Sequence, residues 1–395
     1  MIIILALSLL TGSVHASPGA PDAAAKKSLS SAIRSYHKLD LQGALAKFDA
    51  AISAFPGWKT ASGFRAACRS TLGDAAGARE DAELAAKLKP VDALSYAARG
   101  KARLTLRDYD GALADFRAAE EADANSLEGP LGVGSVLSAQ AKTREALKPL
   151  DDAVRLDPQS AAALLMRGSV KDRLRDFHGA ADDYGAVLEI NPRFVWARLY
   201  RGKALRELKD YRGSDADLSA FLDAQPDHED AAYLRSNVRF LLGDFHGAAA
   251  DLTTVISLDP RKGLAYVNRG LARVRLGERA GALSDLRKAL ELDPARRDKI
   301  QAAIDSIGSA DAGEASAPAP RRAAAEPPPD GPAAVTLESQ GSDRAPRRAA
   351  APDADLDDAP PAPKGASPDA PPAKRGPRDT TPERRSGEEG PAFIQ

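Results

Sequence analysis

The sequence predicts an all-α fold made of helix pairs that repeat along the chain. Between residues 56 and 294, prolines recur at steps of 34 residues, with one double step of 68. Apolar residues recur at helical spacing between these prolines, as in Ala282, Leu286 and Ala289. A fixed period of this length is the signature of a repeat architecture. Eight units of 34 residues fit without a gap, and they begin at residues 25, 59, 93, 127, 161, 195, 229 and 263.

Each unit is expected to contain two helices. The first ends at motifs such as Leu72-Gly73-Asp74, where glycine suits a helix C-terminus and the acid suits the start of the next helix. The second ends before the proline, which lacks an N–H and fixes φ. After the last unit, Ile300, Ile304 and Ile307 fall on one face of the segment 297–308. We expect this segment to be the capping helix that a solenoid end requires.

Three positions in the units carry a resemblance to the tetratricopeptide repeat (TPR) family. Position 8 is small throughout, from Ala32 to Gly270. Position 20 is alanine in seven units and serine in one. Position 24 is large in seven units, from Phe48 to Leu286. The resemblance covers residues 25–296. It implies a right-handed α-solenoid of about eight 34-residue helix-turn-helix repeats with a C-terminal capping helix, followed by a disordered tail.

The ends of the chain differ from the units. Residues 1–16 hold a short apolar run before Val14-His15-Ala16, which predicts a signal peptide and export to the periplasm or beyond. No Lys or Arg precedes the run, so a cytoplasmic location is the alternative. Residues 17–24 are expected to be a linker. Residues 309–395 hold 17 of the 28 prolines, which predicts a disordered Pro/Ala-rich tail, and the Ala, Arg and Pro bias indicates a bacterial genome.

Two charged positions occur together. Position 7 is arginine and position 23 is aspartate in the same six units, and units one and four lack both. In an antiparallel helix pair these positions lie within one helical turn of each other, which predicts an ion pair between the two helices of each unit. The alternative is that both are solvated helix charges. The predicted pairs are Arg65–Asp81, Arg99–Asp115, Arg167–Asp183, Arg201–Asp217, Arg235–Asp251 and Arg269–Asp285.

Unit four departs from the pattern. Its second helix contains Pro149, and its first contains Gly129, Gly132 and Gly134. Proline inside a helix removes a backbone hydrogen bond, and glycine lowers helix propensity. We therefore expect either a weak joint between units one to three and five to eight or a degenerate repeat with ordinary packing.

Residues that would carry catalysis are not evident. The sequence has neither a GxxxxGK[ST] nor a GxGxxG loop. His178 and His246 share a loop position two units apart, and Cys68 aligns with Ala and Val in later units, which favours a core residue. A net charge of −1 supplies no overall basic field for nucleic acid. We expect a non-enzyme without cofactor, metal, nucleic-acid partner or transmembrane span.

The resemblance also implies that first helices line a concave groove, with positions 2, 5, 9 and 12 facing inward. We interpret these residues as a groove for a protein or peptide segment, although several could instead pack between units. The predicted function is a non-catalytic scaffold or adaptor. The alternative is a regulatory or targeting subunit of a cell-envelope enzyme complex, tethered by the tail. The groove candidates are Leu165, Trp196, Leu199, Tyr200, Lys203, Tyr233, Asn237, Phe240, Val267 and Leu271.

Overall fold

The protein is described from a computed structural model that covers residues 21–314, with side chains to residue 307. All of these residues belong to one of the two parts into which the chain divides. The predicted signal peptide and almost all of the predicted tail lie outside the described residues.

Seventeen α-helices, one 3-10 turn and no strands make up the described range. Consecutive helices pack against one another along the chain, so the predicted solenoid of helix pairs is confirmed. The helices are α1 (Ala23–His37), α2 (Leu41–Ala54), α3 (Lys59–Thr71), α4 (Ala75–Ala85), α5 (Ala93–Thr105), α6 (Tyr109–Ala122), α7 (Glu128–Ala139), α8 (Thr143–Leu156), α9 (Ala161–Arg173), α10 (Phe177–Ile190), α11 (Trp196–Glu207), α12 (Tyr211–Ala224), α13 (Glu229–Leu241), α14 (Phe245–Leu258), α15 (Gly263–Arg275), α16 (Arg279–Leu292) and α17 (Arg297–Glu314).

Second helices begin with the same cap in six of the eight units. An aspartate at position 16 accepts a hydrogen bond from the amide of the glycine at position 19, as Asp108 does from Gly111 at 3.0 Å. A Cβ on Gly111 would lie 2.2 Å from the capping carboxylate. The glycine is therefore needed for the cap to form. Unit four has Lys142 and Glu145 at these positions and lacks the cap bond.

The turn between the two helices of a unit contains one residue in the left-handed region, at position 15. Its φ lies between 58° and 84° in all eight units. Glycine occupies the position in three units, and Leu39, Arg107, Ala141, Arg175 and Lys209 occupy it in the other five. Glycine adopts this conformation without steric cost, whereas the others are strained there. Leu39 is the only one of the eight that is buried.

Positions 8 and 24 pack as the resemblance implied. The large residue at position 24 is fully buried in all seven units that have one. A Cβ on Gly134 would lie 2.6 Å from Leu150, and a Cβ on Gly168 would lie 2.9 Å from the Tyr184 ring. The two helices of a unit thus meet where a small residue leaves room for a large one.

Unit four is tightly packed. Nine residues of α7 are buried, and α8 continues through Pro149 without a break. A Cβ on Gly132 would lie 2.0 Å from the Phe116 ring, and one on Gly129 would lie 2.9 Å from the backbone of Glu120. These glycines allow neighbouring helices to approach closely. The packing therefore favours the alternative of a degenerate but well-packed repeat over a weak joint.

Candidate binding surface

First helices form the inner side of the curved array. Helix α3 contacts α5, α5 contacts α7, α7 contacts α9, and α11 contacts α13. Small residues permit this approach, because a Cβ on Gly63 would lie 2.3 Å from the carbonyl oxygen of Ala98. Side chains at the inward positions of these helices are therefore the ones that a concave surface presents.

The concave surface of units three to five is covered by the chain itself. The turn between α1 and α2, residues 36–40, is called the closing turn here. Its His37 Nε2 lies 2.9 Å from Glu128 Oε1, and its Lys38 carbonyl accepts a hydrogen bond from Asn191 Nδ2 at 3.0 Å. Leu39 belongs to one buried cluster with residues of α9 to α11, including Leu165. The inward faces of these units are consequently not open to a partner in this structure.

A buried charge cluster lies under the closing turn. Lys101 Nζ lies 3.0 Å from Glu128 Oε2 and stands over the Tyr36 and Phe64 rings at 5.4 and 5.2 Å. Burial alone would raise the pKa of Glu128, but the positive charges of Lys101 and His37 outweigh it and lower that pKa to about 2. Glu128 is therefore an ionised carboxylate held between two nitrogen groups.

Three groove candidates are core residues instead. Leu165 is 1% exposed, Leu199 2% and Val267 4%. Leu165 shares its cluster with Leu39, and Leu199 packs in the core between units six and seven. Position 5 faces the neighbouring unit rather than solvent here, since the first helices approach closely. The expectation that these three residues line an open groove is wrong.

Trp196 and Tyr200 are half-buried and pack between units. The Trp196 ring lies 5.2 Å from the Phe221 ring and 5.7 Å from the His228 ring, measured between centroids. It also lies 6.4 Å from the Tyr200 ring, and burial raises the pKa of Tyr200 to about 12. His228 accepts a hydrogen bond at Nδ1 from the first turn of α13, and burial lowers its pKa. These ring contacts lie within unit six, and His228 links that unit to unit seven through its hydrogen bond to Ala231.

Tyr233 and Asn237 form a polar network with a residue that the sequence reasoning missed. Asn268 Nδ2 donates to Tyr233 Oη at 3.0 Å and to Asn237 Oδ1 at 3.2 Å. Lys262 Nζ stands 4.9 Å from the Tyr233 ring centroid. Burial raises the pKa of Tyr233. All four side chains are half-buried, so they join units seven and eight and also border the concave surface.

Charges of alternating sign cross the concave surface between units five and seven. Lys203 is exposed at its own surface, yet the surrounding protein lowers its pKa, and the carboxylates of Asp230 and Asp172 oppose that shift. The same surroundings raise the pKa of Asp172. Lys203, Asp172 and Asp230 thus place charges of both signs on the concave surface, where they can interact with a charged partner.

An apolar patch completes the surface at units seven and eight. Phe240 and Leu271 are half-buried, whereas Leu241 and Val274 are 44% and 37% exposed. Phe240 rests against Phe245 with ring centroids 5.1 Å apart. We define the open concave surface as the accessible or half-buried side chains on the inner sides of α11, α13 and α15, namely Lys203, Arg206, Tyr233, Asn237, Phe240, Leu271 and Val274.

The structure brings all twelve predicted Arg and Asp residues together as six pairs. In each pair two guanidinium nitrogens meet two carboxylate oxygens, as Arg99 does with Asp115 at 2.9 and 2.6 Å. Every one of these aspartates is buried, at 2–4% exposure, so the pairs are not the solvated charges that the alternative assumed. Their hydrogen bonds to the arginines raise the pKa of Arg99 and of its equivalents in four other units.

A second cation on each aspartate was missed. Position 11 is basic in five of the six units, and there its side chain also contacts the aspartate, as Arg103 contacts Asp115 at 2.9 Å. Unit six has Leu205 at position 11, and Arg198 approaches Asp217 at 3.5 Å instead. The basic residues at position 11 were a visible signal in the sequence. We call each aspartate together with the basic side chains that contact it a bracket. The brackets link the two helices of a unit.

Other candidate reactive residues have ordinary surroundings. Cys68 is fully buried, its Sγ donates to the Leu41 carbonyl at 3.3 Å, and burial raises the pKa of the thiol to about 12. His178 and His246 are exposed. Within residues 21–314, no cluster of His, Cys, Asp or Glu could hold a metal ion, and no helix has the length and apolar character to cross a bilayer.

Comparison with known proteins identifies the repeats. A family profile described as tetratricopeptide repeat matches residues 133–193 and 233–297, which fall in units four and five and in units seven and eight. The chain contains tetratricopeptide repeats in these two segments. The matched residues include most of the glycine-rich fourth unit, from Val133 onward.

Solved structures of similar shape include a subunit of a larger complex and a TPR protein. A chain of the APC/C hetero-tetramer Cut9–Hcn1 shares 12% identity, with a TM-score of 0.53 over 71% of this chain and 55% of its own. YrrB, a TPR protein with an unusual peptide-binding site, shares 21% identity, with a TM-score of 0.44 over 45% of this chain and 92% of its own. The first match supports the repeat fold alone. No curated protein matches this TPR chain.

Proposed function

We propose that this TPR protein is a non-catalytic scaffold that binds a segment of a protein partner along the open concave surface of units six to eight. TPR repeats are protein-interaction modules in general, and the finer assignment rests on where this chain leaves its inner surface uncovered. One observation carries it: the closing turn covers the inward residues of units three to five, whereas Lys203, Phe240, Leu271 and Val274 remain accessible or half-buried.

The chemistry of that surface fits an extended or helical peptide. A cation lies at Lys203, amide groups at Asn237 and Asn268, and apolar side chains at Phe240 and Val274. Apolar anchors flanked by a few polar groups are the usual composition of a peptide-binding groove. A partner with an apolar side chain near an acidic one would satisfy both ends of the surface.

Two substitutions test the proposal with the full chain. Lys203→Glu reverses the concave charge, and Phe240→Ala removes an apolar anchor. Each should reduce the amount of a captured partner at least tenfold while helix content by circular dichroism stays unchanged. Trp196→Ala is a poor test, because Trp196 packs against Phe221 and His228 and its loss would disturb the fold.

Lys148→Glu is the matched control. Lys148 is 89% exposed on the second helix α8, so this variant makes the same charge change away from the concave surface. A partner retained by Lys203→Glu and Phe240→Ala, or lost equally with Lys148→Glu, would contradict the assignment. Capture should be run with residues 17–308 and 17–395 in parallel, because a partner held only by the longer chain would place recognition in the tail.

Export is proposed on the sequence alone. The apolar run in residues 1–16 supports a signal peptide, and with it a place for the scaffold in the cell envelope, where the tail could tether an enzyme complex. Mass spectrometry of the N-terminus of the protein purified from its host tests this. A mature chain that starts at Ser17 is expected, and a chain that keeps residues 1–16 in a cytoplasmic fraction would contradict export.

A further inference from the structure

The closing turn makes contacts that a linear array of repeats does not need. It joins unit one to units three, four and five through Lys101, Glu128 and the buried cluster around Leu165. Its hydrogen bond to Asn191 spans 153 residues of sequence. In a regular solenoid each repeat contacts only its neighbours. These contacts therefore close the first five units on themselves.

Leu39 is placed against the local preference of its position. All eight residues at position 15 have left-handed backbones, and the seven others are exposed. Leu39 has a φ of 58° and yet is 3% exposed. A leucine gains nothing locally from this conformation, and an exposed loop position usually takes glycine or a polar residue. The long-range contact of Leu39 with the cluster around Leu165 explains why a leucine occupies this position.

The second contact is ionic and could separate into water. His37, Lys101 and Glu128 are all buried at the contact between the closing turn and units three and four. Once apart, each group would be hydrated, so separation would not leave an unpaired buried charge. An ordinary apolar core lacks this property. The interface thus combines one leucine with charged or polar groups, on the closing turn and on the surface beneath it, that water can hydrate.

We propose that the closing turn is an intramolecular latch, which covers the concave surface of units three to five and can leave it without unfolding unit one. When seated, it excludes partners from Lys101 and Glu128. When released, it exposes a second concave surface that carries the carboxylate of Glu128, the amine of Lys101 and the apolar site around Leu165 that Leu39 had occupied. This inference does not depend on the partner proposed for units six to eight.

The test measures the latch in the full chain without any partner. Nitroxide labels at Arg34 and Arg193, both exposed, report the distance between unit one and unit five in a Cys68→Ala background. Leu39→Asn keeps a residue that tolerates the left-handed turn but removes the apolar contact. We expect a single short distance in the parent and a longer, broader distribution in Leu39→Asn. The acylation rate of Lys101, read by mass spectrometry, should rise more than tenfold toward that of Lys148.

Two further variants keep the result decisive. Lys209→Asn changes the equivalent exposed position, with a φ of 64°, and should leave the distance and the Lys101 rate unchanged. Glu128→Gln attacks the ionic contact alone and should open the chain in the same direction as Leu39→Asn. The latch is overturned if the distance stays short in both Leu39→Asn and Glu128→Gln. It is also overturned if the distance lengthens only together with a loss of helix content, since the turn would then be ordinary core.

Discussion

Replacing one buried aspartate should lower the free energy of unfolding far more than replacing all three residues of its bracket with apolar residues. Asp115 accepts bonds of 2.9 and 2.6 Å from Arg99 and one of 2.9 Å from Arg103. In Asp115→Asn one acceptor oxygen becomes a donor that faces a guanidinium. Breaking a buried pair in this way costs about 3–5 kcal/mol, because the arginines keep their charge without a partner. Replacing both partners as well should cost less than about 2 kcal/mol, since no buried charge remains.

Unit four already shows the second outcome. It has Val133, Leu137 and Pro149 at the three bracket positions, and the unit is tightly packed. The matching triple variant is Arg99→Val, Arg103→Leu and Asp115→Val.

Amide exchange in α5 and α6 gives the local unfolding free energy, which suits a repeat protein better than one global transition. The exposed Glu121→Gln makes the same charge change on α6 and should stay within about 0.5 kcal/mol of the parent. A triple variant less stable than Asp115→Asn would refute the reasoning.

Four other outcomes follow from particular residues. Lys209→Gly should stabilise by up to about 1 kcal/mol by relieving a left-handed backbone, whereas Leu39→Gly should destabilise by about 1–3 kcal/mol through lost burial; urea unfolding separates the signs. Gly111→Ala should cost about 1 kcal/mol of local stability by exchange, because its Cβ would collide with the cap. Glu128, whose pKa falls from 4.5 to about 2 on folding, should contribute about 3 kcal/mol that is present above pH 4.5 and lost as the pH falls toward 2; acid titration of Glu128→Gln should lack this loss. Amide hydrogen exchange in residues 127–158 should be no faster than in neighbouring units. Faster exchange would support the hypothesis of a weak joint at unit four.

The helix pairs could be predicted from the sequence because their causes are local and repeated. Glycine at position 19 is required by the aspartate cap, and a small residue at position 8 leaves room for Phe48 or Leu150. The pairing of Arg99 with Asp115 could be inferred because both residues vary together within one chain. Each of these contacts lies inside one unit, where the period fixes the geometry.

The concave surface was harder to predict because it depends on curvature. Leu165, Leu199 and Val267 occupy the expected positions but are buried, since the first helices approach more closely than the period alone reveals. Gly132 was misjudged for the same reason. The sequence indicates only its low helix propensity, whereas in the structure the residue permits a close helix contact. A signal for the closure existed, because Leu39 is the only large apolar residue at position 15.

The contact between Lys38 and Asn191 changes how the array would respond to force. A linear solenoid pulled at its ends unravels from a terminal repeat, which has a neighbour on one side only. Here unit one also contacts units four and five, so it is not a terminal repeat with a neighbour on one side only. Tension applied to the N-terminus would first load the closing turn in parallel with the helices of unit one. Units six to eight, which have no such tie in the described residues, would yield first.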